Sequence, residues 1–185
     1  MIGLRGFLKD ETGTATIELM FVLPITLTIF FASFETGLVM LRSVMLERSV
    51  DIVVRDIRLG NLEGTQPPEL KKLICETSAL VGSIQTCVES MKIWMQPIDT
   101  ADFAMIAPPR YCIDKGEDIA TENLGEDAAD VFAYGDGNQI MLMRICLKER
   151  PWFPTTVVGA GLISGGEDDG TYALLVTSVY VNEPG

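Results

Sequence analysis

Histidine is missing from the 185-residue chain. Its absence removes the commonest general base and the commonest metal ligand together. Positive charge is scarce: 14 Lys and Arg stand against 26 Asp and Glu, a formal net charge of -12. Such a surface repels phosphate backbones, so no nucleic-acid partner is expected. There is no P-loop, no GxSxG, no HExxH and no possible Ser-His or Cys-His pair. The chain is therefore not expected to be an enzyme. No CxxC pairs its four cysteines, Cys75, Cys87, Cys112 and Cys146. Their spacings of 12, 25 and 34 residues supply no paired zinc ligands. No metal and no cofactor is expected.

What the chain does have is a long stretch almost without charge. From Gly13 to Leu41 it reads GTATIELMFVLPITLTIFFASFETGLVML, with Glu18 and Glu35 the only ionisable side chains. Leu19 to Phe34 between them form an uncharged run of sixteen residues. As a helix that run is ~24 Å long, short of a ~30 Å hydrocarbon core. Thr36 to Leu41 lengthen it enough to span, provided Glu35 sits near an interface or faces protein. Interfacial solvation is the expectation for Glu35. Membrane lipid is then a partner. Pro24 is expected to kink the helix and Gly37 to permit close helix approach. A secretory cleavage site is disfavoured, because bulky Phe30 and Phe34 flank the small pair Ala32-Ser33.

The helical pattern continues past the apolar run. Leu38, Leu41, Met45, Ile52 and Leu59 recur as an apolar set, and Asp51 can pair with Arg48 and Arg55. Gly60-Asn61 is the expected stop. Glu69–Val81 reads as a short amphipathic helix with Leu70, Leu73, Ile74 and Leu80 on one side. Met91–Pro97, Gln139–Lys148 and Tyr172–Asn182 read as strands, the first an edge strand because it ends in proline. Trp152–Gly166 reads as a connection, and 107–136 as an acidic loop with a short helix. Neither Glu117, Asp118, Glu122, Glu126, Asp127 and Asp130 nor Glu167, Asp168 and Asp169 has the spacing of a calcium loop. They read as solvated acids. Trp94, Trp152 and Phe153 are expected to close a small core. The expected fold class is α+β: a long N-terminal transmembrane and amphipathic helix, a second helix, and an antiparallel sheet of three or four strands. The division is a leader at 1–13, the helix at 14–60 and a folded domain at 61–185.

Two signals bear on which side of the membrane that domain occupies, and they disagree. Arg5 and Lys9 precede the helix, while Arg42, Arg48, Arg55 and Arg58 follow it, a bias that places the domain in the cytoplasm. Four cysteines in a small domain without CxxC suit an oxidising compartment instead. The cysteines decide the expectation, with the domain outside the cytoplasm. Two bridges allow three connectivities; pairing of sequence neighbours, Cys75–Cys87 and Cys112–Cys146, is the preferred one.

Gly13 stands five residues before Glu18, at the start of the apolar run and after a short charged leader. GTATIE resembles the processing site of type IV pilin-like proteins. The resemblance implies a prepilin peptidase that cuts after Gly13 on the cytoplasmic side and frees an amine at Thr14. Glu18 would then be the fifth residue of the mature helix. A carboxylate there is expensive unless paired, and the implied partner is the Thr14 amine of its own or a neighbouring chain. GTATIELMFVLP, the LERSVDIVVRDIRLG segment, the WFPTT connection, a Gly-rich turn and a final strand together resemble the TadE-like pseudopilins of tight-adherence (Flp-type) pili. That family implies a minor, single-pass assembly subunit of the bacterial inner membrane, with its domain in the periplasm. Its implied partners are the prepilin peptidase, other pilins or pseudopilins and the pilus assembly platform, in assembly or within the fibre. Leu19 follows Glu18 where major Flp pilins carry an aromatic residue, which points away from a major pilin. The competing expectation is an uncleaved bitopic protein with an extracytoplasmic ligand- or partner-binding domain.

Overall fold

The computed structural model describes residues 12–62, 64–78, 83–99, 101, 112, 132–164 and 170–183. Its elements run α1 (Thr12–Arg58), α2 (Pro67–Thr77), α3 (Ile84–Ser90), β1 (Met91–Ile98), β2 (Ile140–Glu149), α4 (Val157–Ser164) and β3 (Tyr172–Val181). The architecture is α+β, a long apolar helix with further helices and a three-stranded antiparallel sheet. The acids from Glu117 to Asp130, those at 167–169, Leu80 and most of the leader lie outside the described residues.

α1 has 47 residues and continues through Pro24, a length of ~70 Å. Thr26, Thr28, Ser33 and Thr36 each donate a hydroxyl hydrogen bond to the carbonyl four residues back, at 2.7–2.9 Å. No hydroxyl on this stretch of the helix then depends on water. The helix stops where expected. Gly60 takes φ 73°, its N–H donates to the Ile57 carbonyl and the Asn61 N–H to that of Asp56. That pair of bonds closes a helix when the residue after its end is left-handed, which glycine does without steric cost.

The two halves of α1 differ in surroundings. Every large apolar side chain from Ile17 to Phe30 is at least 43% exposed. Leu46, Val50, Val53, Val54 and Ile57 are at most 7% exposed and form one face against the sheet core. The face expected from the sequence is not the one buried: Leu41, Ile52 and Leu59 are exposed. They share a side of the helix with Arg48 and Arg55, so burying them would drag those charges toward the core. The denser stripe starting at Leu46 carries no such cost. Among the described residues Asp51 forms no ion pair; the ion pairs of α1 run from Arg42 and Arg58 to Glu149 and Glu183.

The sheet order is β1-β2-β3, both pairings antiparallel. β2 is central and buried on both faces. Met141, Met143, Ile145 and Leu147 are fully buried on one face, with Leu142 and Cys146 nearly so on the other. β3 alternates, with Tyr172, Leu174, Val176 and Tyr180 inward and Leu175, Val179 and Val181 outward. Inward-facing residues of all three strands join the α1 stripe in one cluster. Pro97 is tolerated because β1 is an edge strand. A single parallel bridge from Met95 to Phe132 partly covers that edge.

Two helices escaped the sequence reading. α3 is seven residues long and starts at Ser83, whose hydroxyl oxygen accepts from the Thr86 N–H; so short an element shows no period. α4 reads VVGAGLIS, and its glycines and uniform apolarity resemble a connection.

Removing the Leu46 side chain with Leu46→Ala is expected to cost about 2–5 kcal/mol, since a fully buried cavity remains. Ile52→Ala, on the exposed side, is expected to cost under about 1 kcal/mol. Urea melts of the two variants in detergent micelles check which face of α1 is the core face.

Candidate functional site

Gly13 and Thr14 lie in the first turns of α1, which begins at Thr12. Glu18, one turn further, is exposed and has no hydrogen-bond or ion-pair partner among the described residues. The three residues of the expected processing site therefore share one helical segment at the start of α1, far along the chain from the sheet.

At the other end of the apolar run the structure builds something the sequence reading missed. Glu35 was expected to be solvated at an interface. It is instead 0% exposed. Its Oε1 accepts the Trp152 N–H at 3.1 Å and its Oε2 accepts the Phe153 N–H at 2.8 Å. A carboxylate stripped of water is tolerated only with such replacement donors, and hydrogen bonds to a charged acceptor are the strong ones. The Phe153 ring then stacks 4.7 Å from Phe31 and 6.2 Å from Phe34.

Two helical turns further, Arg42 is the second half of the clasp. It is 9% exposed. Its Nη1 donates to the Tyr172 hydroxyl at 2.9 Å and the Arg150 carbonyl at 3.2 Å, and lies 3.7 Å from the Glu149 carboxylate. Burial pushes the Glu149 carboxyl above its ordinary value, outweighing the Arg42 charge and a backbone hydrogen bond at Arg150. The Tyr172 hydroxyl is raised for the same reason, with the Arg42 hydrogen bond working against it. Glu35, Val39 and Arg42 extend the stripe of Leu46, Val50, Val53 and Ile57. Their spacings are four, three, four, four, three and four residues. That continuity was the available signal: an acid inside an apolar run, in register with the core face.

One further expectation is corrected here. Trp152 does not close the core; it is 63% exposed, whereas Trp94 is buried at 2% and Phe153 half-buried. Gly37 is exposed, and a Cβ built on it would meet nothing of its own chain within 4 Å. Within the chain a close approach is made at Gly159 in α4, where a Cβ would collide with the Phe153 carbonyl.

The structure joins Cys75 to Cys87 and Cys112 to Cys146, with Cα separations of 6.0 and 5.6 Å. The first ties α2 to α3 and the second ties the chain at Cys112 to the central strand. Bridges closing such loops typically contribute ~2–4 kcal/mol each. Among the described residues no cluster of three or more Cys, Asp or Glu side chains is placed to hold a metal. A polar cleft at the end of α1 is lined by Arg58, Tyr134, Asp136, Asn182 and Glu183. It brings together no nucleophile with a base.

Compared with family models, curated proteins and solved structures, the chain has no match.

Glu35→Ala leaves two backbone donors without their acceptor and is expected to cost at least ~2 kcal/mol. Amide hydrogen exchange should show protection lost at Trp152 and Phe153 while β2 stays protected. Glu149→Gln tests the Arg42 end. A carboxyl raised above its unfolded value stabilises fully below about 4.5 and loses that contribution as pH rises through the raised value. Wild-type stability is therefore expected to fall relative to Glu149→Gln as pH rises above about 4.5, as read from paired denaturant melts.

Proposed function

We propose that the chain is a minor pseudopilin of the TadE-like kind, an assembly subunit of a bacterial tight-adherence pilus. It is anchored by α1 in the inner membrane with its sheet domain in the periplasm. The observation that carries this reading is the position of Gly13 and Glu18. They begin a helix whose lower half is apolar all round and exposed, and whose upper half is the core of a folded head. One window of that helix is long and apolar enough to cross a membrane. A helix hydrophobic all round needs lipid or other helices about it. The two bridges support an oxidising compartment for the head.

On this reading a prepilin peptidase cleaves the Gly13–Thr14 bond. A glycine lets the backbone enter a protease cleft unobstructed, and the cut lies on the polar side of the apolar run, so the anchor is retained. The Thr14 amine created by the cut gives exposed Glu18 a cationic partner, in its own chain or a neighbour's. The mature helix then packs against pilin or assembly-platform helices. The head, held to α1 through Glu35 and Arg42, moves with it as one piece.

The experiment is intact-mass and N-terminal analysis of the membrane protein co-produced with a prepilin peptidase. A mature chain beginning at Thr14, and an uncut chain for Gly13→Ile, are expected. A wild-type chain still beginning at Met1 would instead support the uncleaved bitopic protein with a partner-binding domain.

A further inference from the structure

The segment that binds Glu35 also exposes apolar side chains. Trp152 donates its backbone N–H to buried Glu35, yet its side chain is 63% exposed. Val157, which opens α4, is 78% exposed. α4 carries no charge in its eight residues, VVGAGLIS. Gly159 seats it against the Phe153 carbonyl, and the Phe153 ring lies on Phe31 and Phe34. Trp152 and α4 therefore sit at the level of Phe31 to Glu35 on α1.

Length fixes what that level is. Glu18 and Glu35 are ~25 Å apart along the helix, against a hydrocarbon thickness of ~30 Å. With Glu18 at the inner boundary, Glu35 and the loop bonded to it fall within the last ~5 Å of the outer leaflet's apolar layer. A carboxylate at that depth is tolerable because both oxygens are turned onto amides and sealed from lipid. An exposed tryptophan at that depth has the preferred surroundings of an indole, apolar on one side and wet on the other. Arg150 is exposed and its carbonyl bonds Arg42, two turns beyond Glu35.

We infer that Trp152 to Ser164 is a second membrane-seated element, with Trp152 and the Val157 end of α4 resting in the outer interface of the bilayer that α1 crosses. This rests on the membrane-crossing reading of α1. It makes the head a monotopic domain as well as a tethered one. The apolar thickness that α1 lacks between Glu18 and Glu35 is supplied by α4 and its loop. The head is thereby fixed in tilt as well as height.

The test uses the full chain in vesicles of phosphatidylcholine and phosphatidylglycerol. The phosphatidylcholine carries bromine either near the headgroup or near the chain ends. Bromine quenches tryptophan on contact, and Trp94, buried in the head, supplies the unquenched baseline. Wild type is expected to lose emission with shallow bromine and much less with deep bromine. Trp152→Phe should lose that quenching, and Val157→Trp in the Trp152→Phe background should restore it. Phe21→Trp in the same background should be quenched by deep bromine. Deep quenching at position 21 with none at Trp152 or at position 157 would overturn the inference and leave the spanning helix intact. Blue-shifted Trp152 emission without bromine quenching would also overturn it, placing a second copy or another protein over α4. No quenching at position 21 would remove the spanning helix itself and this inference with it.

Discussion

The structure depends on a carboxylate without water. Glu35 sits in an apolar helix, fully buried, and gives both oxygens to consecutive backbone amides of one loop. The bonds serve both partners. A bare carboxylate there would be costly to bury, and the two amides would be orphaned beside the rings of Phe31 and Phe34. Arg42 repeats the arrangement two turns away with the opposite charge, holding a carbonyl, a phenol and a carboxylate from the strands on either side of that loop. The Arg42–Glu149 pair does not hold the fold by attraction alone, since desolvation outweighs the Arg42 charge at Glu149. What Glu35 and Arg42 supply is register: only one placement of the 149–153 segment along α1 satisfies every donor.

That register decides how the head relates to the rod. α1 is not a stalk with a domain hung on a linker. Its upper half supplies Leu46, Val50, Val53, Val54 and Ile57 to the hydrophobic core of the domain, where Leu70 and Ile74 of α2 join them. Unfolding the head would expose the helix, and bending the helix near Glu35 would strain the clasp. The lower half is free on all sides by contrast, and the change from free to packed falls within about two turns. A displacement applied at the lower half is carried to the strands without an intervening hinge among the described residues.

Much of this was legible in the residues. The single helix from the apolar run to Gly60, the three strands and the α+β class follow from period, proline and glycine, signals that are local. The core face of α1 was not legible by the same means. Two apolar faces exist, and the choice between Leu41-Ile52-Leu59 and Leu46-Val50-Val53-Ile57 is made by the charges that accompany each into the interior. Glu35 was misread because an acid at the end of an apolar run has a sufficient local explanation in water. Its actual partners lie 117 and 118 residues later. Backbone amides carry no sequence signature, so nothing in WFPTT announces that its N–H groups are the ligands of a carboxylate. Trp152 was misplaced for a related reason: its backbone is buried business while its ring is not.

The two acids that bracket the apolar run therefore have opposite needs. Glu35 is complete within its own chain, fully buried with two backbone donors. Glu18 is exposed and unpartnered among the described residues. An isolated carboxylate at the edge of an apolar layer is costly until a cation pairs with it. The Glu35 end of the apolar run thus needs nothing further, and the Glu18 end is the one open to a partner. On the proposed reading, hydrolysis of the Gly13–Thr14 bond by the peptidase supplies it from the chain itself: the cut that removes the leader leaves an ammonium about one helical turn from Glu18. If the ammonium pairs within its own chain, the subunit is self-sufficient in lipid. If it pairs with a neighbour's Glu18, the same charge that makes the monomer incomplete favours assembly. The asymmetry between the two acids gives that choice its direction, because only Glu18 is left unpartnered among the described residues.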